Sequence, residues 1–243
     1  MSYDPYQPHV QTRAAAGTDI DAGLQSFMRS VYNTMAIGLG VTGVVAFGFA
    51  QMMLGSPALL KAVVGTPLIY VLALAPLAFV FGGFTQNRIA RWPASKLQGM
   101  FYVFAAVMGL SMATIFLVFS AESIARVFFI TAGTFAAVSL YGYTTKRDLA
   151  GFGAFMFMGV IGLIIASVVN LFLQSEMIHF VVSVIGVITF TGLAAWQTQM
   201  LKETYAYGRT EDNGKLAVMG ALGLYLSFIN LFQSLLSLLG NRE

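Results

Sequence analysis

The chain has 243 residues, of which 58% are hydrophobic and 9% are charged, and its mean hydropathy is +0.78. Soluble domains carry about 25% charged residues, so the composition excludes an ordinary soluble protein and is typical of a multi-pass membrane protein. The chain has no cysteine and two distant histidines, which excludes disulfides and leaves no metal-ligand spacing. The net charge of +3 does not indicate nucleic-acid binding, because the basic residues lie in short loops between apolar runs.

Residues 1–28 differ in composition from the rest of the chain. They contain proline, glutamine and aspartate and have no long apolar run. This pattern predicts a disordered or loosely ordered tail. Residues 29–243 are then a single membrane domain, since no later connection is long enough to hold a soluble domain.

Seven apolar runs follow, each long enough to cross a bilayer core of about 30 Å as a helix. The sequence therefore predicts an all-α membrane protein with seven transmembrane helices. The predicted segments are Val31–Leu54, Thr66–Gln86, Leu97–Phe119, Ser123–Thr144, Phe152–Leu173, Met177–Met200 and Leu216–Leu239. Pro76 lies inside the second segment and predicts a kink or a break there.

The basic residues indicate the orientation of these segments. If the N-terminus is cytoplasmic, 10 of the 13 lysine and arginine residues lie in cytoplasmic segments. Cytoplasmic loops of membrane proteins carry an excess of such residues. We therefore expect a cytoplasmic N-terminus and an external C-terminus. Re-entry of the seventh segment without crossing would also be compatible with the charges.

The seventh segment carries a stripe of small and polar residues with spacings of three and four. On a helix these positions share about one third of the circumference, so they should face other helices or a buried cavity rather than lipid. The stripe consists of Gly220, Gly223, Ser227, Asn230, Ser234 and Ser237.

No charged residue lies in the middle third of any segment, and the polar residues there are neutral. Asn170, Gln197, Ser227 and Asn230 either join helices by hydrogen bonds or line a path for a small ion. No nucleophile and base, phosphate loop or metal-ligand set is present, so we expect neither enzymatic activity nor a cofactor.

A charged cluster, Lys146, Arg147 and Asp148, ends the fourth segment on the side expected to be cytoplasmic. It is either a topology signal with a local ion pair or a cytoplasmic latch that bonds the ends of neighbouring helices. Arg88, in the loop between the second and third segments, is a further candidate for this latch.

Four sequence stretches together resemble the Bax inhibitor family, and the resemblance extends from about residue 24 to the C-terminus. It is closest to bacterial inner-membrane members. The stretches are SIARVFFITA at 123–132, GYTTKRDL at 142–149, NLFL at 170–173 and GALGLYLSFINLF at 220–232.

The resemblance implies a seven-helix bundle in which the last helix is central. It also implies two roles. One is a calcium leak across the membrane that responds to pH, and the other is modulation of a membrane-bound AAA protease. In the family, two facing aspartates on the sixth and seventh helices are thought to share a proton and act as the pH sensor.

This chain departs from the family at both aspartate positions, where it has Gln197 and Ser227. Facing carboxylates can titrate near neutral pH because ionising both is costly. An amide and a hydroxyl cannot titrate there, and they bind divalent cations far more weakly than carboxylates do. The family's sensor and calcium site are therefore not expected here.

Two functions follow as hypotheses. The first is a passive leak for calcium or another cation without the di-aspartate sensor. The second is a protein that conducts nothing and binds a membrane protease or another membrane partner. The oligomeric state is left open by the sequence.

Overall fold

The computed structural model describes residues 8–207 and 213–241, and these residues form α-helices and one short 3-10 helix, with no strand among them. This confirms the predicted all-α class. The 3-10 helix, Ala113–Leu117, continues α5. The helices are α1 Pro8–Gly55, α2 Pro57–Val64, α3 Leu68–Gly83, α4 Gln86–Arg91, α5 Ala94–Met112, α6 Ala121–Thr144, α7 Ala150–Leu173, α8 Glu176–Tyr207 and α9 Asn213–Leu239.

Six of the described helical segments are long and apolar enough to cross a membrane, and a seventh crossing requires α2 and α3 together. These two helices meet at an angle of 66°. α3 alone has 16 residues, which gives about 24 Å of rise and is shorter than a bilayer core. The second segment is therefore a bent pair of helices that begins at Pro57, before the predicted start at Thr66.

The position of this bend differs from the sequence expectation. α3 is continuous through Pro76, and the break lies between Val64 and Leu68. Pro67 explains this position, because a proline disfavours the helical conformation of the residue before it. α2 begins where Ser56 caps it by accepting a hydrogen bond from the Leu59 amide at 3.4 Å, with Pro57 in the first turn.

The first helix begins earlier than expected. α1 starts at Pro8, so the predicted boundary of the tail at residue 28 falls inside a helix. Leu24, Phe27 and Met28 are buried in the main core, and the Phe27 ring stacks on Tyr205 with centroids 4.9 Å apart. Burial of these side chains holds the helix beyond the first apolar run. Residues 1–7 of the expected tail lie outside the described residues.

The last helix is at the centre of the bundle, as the family resemblance implies. In its most apolar window 56% of the residues are buried, against 17% to 33% in the other five long spans. α9 packs against α1, α5, α6 and α8. α7 is the most apolar of these spans and has the lowest buried share. Lipid tails are as apolar as leucine, so the most apolar helix loses nothing by facing lipid, whereas the helix with small and polar residues is stabilised inside.

α9 crosses the whole bundle. At its start, Lys215 Nζ donates a hydrogen bond to the Ala90 carbonyl at the end of α4. At its other end, the Asn241 amide donates to Ser123 Oγ at 2.9 Å, and the Asn241 carbonyl accepts from the Ser120 amide. Since α4 and the α5–α6 hairpin lie at opposite ends of α5, α9 extends over the length of α5, as a full crossing of the membrane requires.

Candidate functional site

Gln197 of α8 and Ser227 of α9 face each other in the structure. Ser227 Oγ donates a hydrogen bond to Gln197 Oε1 at 2.9 Å. Ser227 is 3% exposed and Gln197 is partly buried. A Cβ added at Gly223, one turn earlier on α9, would lie 3.6 Å from Gln197 Nε2. This is an ordinary van der Waals distance, so the glutamine side chain lies directly beside Gly223 on the central helix.

This pair brings a neutral amide and a neutral hydroxyl together inside the bundle. Neither group titrates near neutral pH. The described residues contain no group of three or more His, Cys, Asp or Glu that could hold a metal ion. The arrangement can join two helices and offer uncharged oxygen atoms to a passing cation, but it supplies no proton switch.

The other two predicted path residues behave differently from each other. Asn230 lies on α9 one turn beyond Ser227, and its Nδ2 donates to the Leu226 carbonyl at 2.8 Å. Asn170 lies at the end of α7, where its Oδ1 accepts from the Ser175 amide at 2.9 Å. Asn170 therefore shapes the α7–α8 hairpin. The structure joins Gln197 to Ser227, places Asn230 one turn from Ser227 on the same helix, and leaves Asn170 apart.

A buried contact that sequence reasoning missed joins three helices. The Tyr225 hydroxyl of α9 lies 2.6 Å from Thr42 Oγ1 of α1 and is hydrogen-bonded to it. Thr42 Oγ1 also lies 2.9 Å from the Ala105 carbonyl of α5. Tyr225 is fully buried between the edges of Phe101 and Phe104. The sequence did hold one indication of this contact: Tyr225 lies in the middle of an apolar segment, where a tyrosine hydroxyl needs a hydrogen-bond partner inside the protein.

A second missed contact links α1, α6 and α8. Ser139 Oγ of α6 is hydrogen-bonded to Thr198 Oγ1 of α8 at 2.8 Å, and also to the Tyr32 hydroxyl of α1. Thr198 additionally donates to the Ala194 carbonyl. Interhelical bonds of this kind are worth about 0.6–1.7 kcal/mol each in membrane proteins, so they hold the helices around α9 in register.

The α6–α7 loop is held by α8, but not through the charged side chains expected to do so. Gln199 Oε1 accepts from the Leu149 amide at 2.8 Å, and Gln199 Nε2 donates to the Arg147 carbonyl at 2.7 Å. Lys202 Nζ donates to the Tyr143 carbonyl at 2.7 Å. The contact to Arg147 uses its backbone only.

The remaining members of the proposed latch lie elsewhere or act locally. Asp148 Oδ1 accepts from the Ala150 amide at 2.8 Å and so forms an Asx-turn just before α7. Lys146 is exposed. Arg88 Nη1 donates to the Gly82 carbonyl at 2.8 Å, which places this side chain at the α3–α4 connection. The charged latch is thus divided between two regions in the structure.

Known proteins resemble this chain over nearly its whole length. Residues 24–243 match the family described as inhibitor of apoptosis-promoting Bax1. A protein of Caulobacter vibrioides is 44% identical, with 94% of each chain covered. The inner membrane protein YbhL of Escherichia coli K12 is 43% identical, with 91% of this chain and 94% of that protein covered. A membrane protein of Streptococcus pyogenes is 34% identical, with 93% and 97% covered.

Proposed function

The chain belongs to the Bax inhibitor family of multi-pass membrane proteins, and we propose that it acts as a passive cation leak, with calcium as the first ion to test, that is not gated by protonation at its centre. The role is non-enzymatic. The observation that carries the proposal is the hydrogen bond between Ser227 and Gln197 at 2.9 Å. These two residues stand where the family resemblance places facing aspartates.

The hydrogen bond between Ser227 and Gln197 joins α8 to α9 without any charged group. When the Ser227 hydroxyl donates to Gln197 Oε1, one acceptor site of the amide oxygen is used and the two helices are held together. Separation of the two helices at this point exposes the Gln197 and Ser227 oxygens and, one turn further on, the Asn230 amide. Uncharged oxygens bind cations weakly, which suits a leak that must release its ion as readily as it takes one up.

We further propose that the protein lies in a bacterial inner membrane with its N-terminus in the cytoplasm. The relative YbhL is named as an inner membrane protein. The excess of lysine and arginine on the side of α4 and the α6–α7 loop supports this orientation.

Calcium and potassium efflux from vesicles that contain the purified protein tests the leak. We expect flux above that of empty vesicles, changing by less than about twofold between about pH 6 and 8, because neither an amide nor a hydroxyl titrates there. In the variant Q197D/S227D, flux should become pH-dependent and greater at the higher pH, where both carboxylates are ionised.

Two controls sharpen this experiment. Q197N/S227T keeps the neutral chemistry and should remain insensitive to pH. H179Q removes the exposed histidine at the far end of α8, so any residual pH response that disappears in H179Q belongs to that site. Flux equal to that of empty vesicles, or a steep pH response that persists in H179Q, refutes the proposal.

A second candidate function is modulation of another membrane protein, such as a membrane-bound protease. Three hydrogen bonds at the centre of the bundle support it: Ser227 to Gln197, Tyr225 to Thr42, and Thr42 to the Ala105 carbonyl. A closed, hydrogen-bonded centre is what a bundle that conducts no ion needs. Its test is co-purification of the partner after deletion of residues 1–21, which leaves the core residues Leu24 and Phe27 in place. Unchanged recovery of the partner counts against a role for this segment.

A further inference from the structure

The connection between α3 and α5 concentrates positive charge around one aromatic ring. We call Arg88, Arg91, Trp92 and Lys96 the basic elbow. The short helix α4 and the turn at Trp92 and Pro93 bring these residues together between two apolar helices. The sequence from residue 22 to residue 121 contains no aspartate or glutamate. The elbow therefore has no acidic residue near it in the chain.

Two of the cations lie against the Trp92 ring. The Lys96 ammonium nitrogen lies 4.3 Å from the ring centroid, and the Arg88 guanidinium carbon lies 5.6 Å from it. The two positive groups are therefore within about 10 Å of each other, a distance that one phospholipid headgroup can bridge. Arg88 is fixed by its bond to the Gly82 carbonyl, and Arg91 is exposed on the same short helix.

No carboxylate of the described part of the chain neutralises the charges of the basic elbow. Among the described residues, an ion pair joins Arg126 to Glu122 at the start of α6, but Arg88, Arg91 and Lys96 pair with no carboxylate. Positive-inside topology requires only that basic residues lie in the loop. This topology rule does not require the basic side chains to lie around one tryptophan. Their clustering at Trp92 creates a local excess of positive charge that a negatively charged ligand would stabilise.

The place of the elbow in the fold identifies that ligand. It joins the ends of two apolar helices, and Trp92 is a half-buried aromatic residue of the kind that sits at headgroup level. The anion that a membrane offers at headgroup level beside apolar helices is a lipid phosphate. We propose that the basic elbow binds the headgroup of an anionic phospholipid, with Arg88 and Lys96 on the phosphate and Trp92 at the interface. This proposal is independent of the cation leak.

Fluorescence quenching of Trp92 by brominated lipids tests the site. The chain has only one other tryptophan, Trp196, so W196F makes Trp92 the single reporter. The protein is placed in nanodiscs of phosphatidylcholine that contain either brominated phosphatidylglycerol or an equal fraction of brominated phosphatidylcholine. We expect stronger quenching by phosphatidylglycerol, and a preference that falls about fivefold for each elbow cation removed in R88Q/K96Q.

Three further measurements decide the outcome. R91Q/K96Q should also lower the preference while leaving the bond from Arg88 to Gly82 intact, which guards against misfolding of the first variant. K61Q/R126Q removes the same charge from exposed sites on the opposite side and should change nothing. Inorganic phosphate at millimolar concentration should not compete, since the site is proposed to recognise a membrane-anchored headgroup.

Equal quenching by the two lipids overturns the proposal, and so does a preference that survives in both elbow variants. Loss of the preference in K61Q/R126Q as well shows general charge attraction and also overturns it. Competition by inorganic phosphate identifies a free anion as the ligand and rejects the lipid assignment.

Discussion

At the scale of single residues, Gln199 shows how a neutral side chain can hold a loop. It is 4% exposed on α8, and both ends of its amide bond the backbone of the α6–α7 loop. A lysine or arginine would need a negative partner in the same place, and burying an unpaired charge is costly. The amide satisfies one donor and one acceptor with a single uncharged group.

Replacing Gln199 by alanine should lower the free energy of unfolding by about 1–3 kcal/mol, because the Leu149 amide and the Arg147 carbonyl then lack their partner. Unfolding in detergent measures the loss, and faster hydrogen exchange of the Leu149 amide locates it. Q199E keeps an acceptor for Leu149 but cannot donate to Arg147, so an intermediate loss is expected.

The matched control for Gln199 is Gln98. Its Nε2 donates to the Tyr102 hydroxyl within the same helix, α5. Q98A should change stability by less than about 0.5 kcal/mol. Equal effects of Q98A and Q199A would contradict the assigned role of Gln199.

At the scale of helices, α1 and α9 show why apolar runs do not mark helix limits. α1 continues toward its N-terminus beyond the run that would span the bilayer, since Leu24, Phe27 and Met28 reach the core near Tyr205. The 3–4 spacing of small and polar residues on α9 predicted an inward face. In the structure Ser227 is the buried member of this stripe and the other five residues are partly exposed, whereas α9 as a whole is the most buried long span.

Two truncations distinguish the helical start from a dispensable tail. Deletion of residues 1–21 should leave the melting temperature nearly unchanged. Deletion of residues 1–28 should cost about 3 kcal/mol or more, because large buried side chains are lost and their neighbours are left unpacked. Thermal unfolding in detergent compares the two proteins.

The variant F27A in the full chain controls for length. It should reproduce much of the loss seen on deletion of residues 1–28, by removing the stack on Tyr205. If both truncated proteins unfold alike, the expected loose tail extends to residue 28 and the packing of α1 against Tyr205 adds no stability.

At the scale of the whole molecule, the two ends of α9 define two faces. Lys215 reaches α4 on one face, and Asn241 reaches Ser120 and Ser123 on the other. The face with α4 and the α6–α7 loop holds most of the basic residues. The asymmetry of charge and the full crossing of α9 together predict where each loop lies relative to the membrane.

Because the chain has no cysteine, single cysteines report this topology directly. S95C, A121C and N241C each replace an exposed residue. In intact cells, a maleimide that cannot cross the membrane should label A121C and N241C but not S95C until the cells are opened. Labelling of N241C together with S95C would contradict the crossing of α9, and reversal of all three would contradict the orientation alone.

The sequence by itself determined the class, the family, six of the seven predicted crossings as long helices, and the presence of Gln197 and Ser227 where the family resemblance places aspartates. These properties depend on the length of each apolar segment, the charge of each loop and the residue at each position. All three are visible in the sequence without knowledge of which distant residues are in contact. Only the tertiary structure decided the bend between α2 and α3, the core packing of residues 24–28 and the partners of Gln199, Tyr225 and Arg88. A hydrogen-bond partner depends on the rotation and depth of two helices at once, and close packing of distant residues sets both.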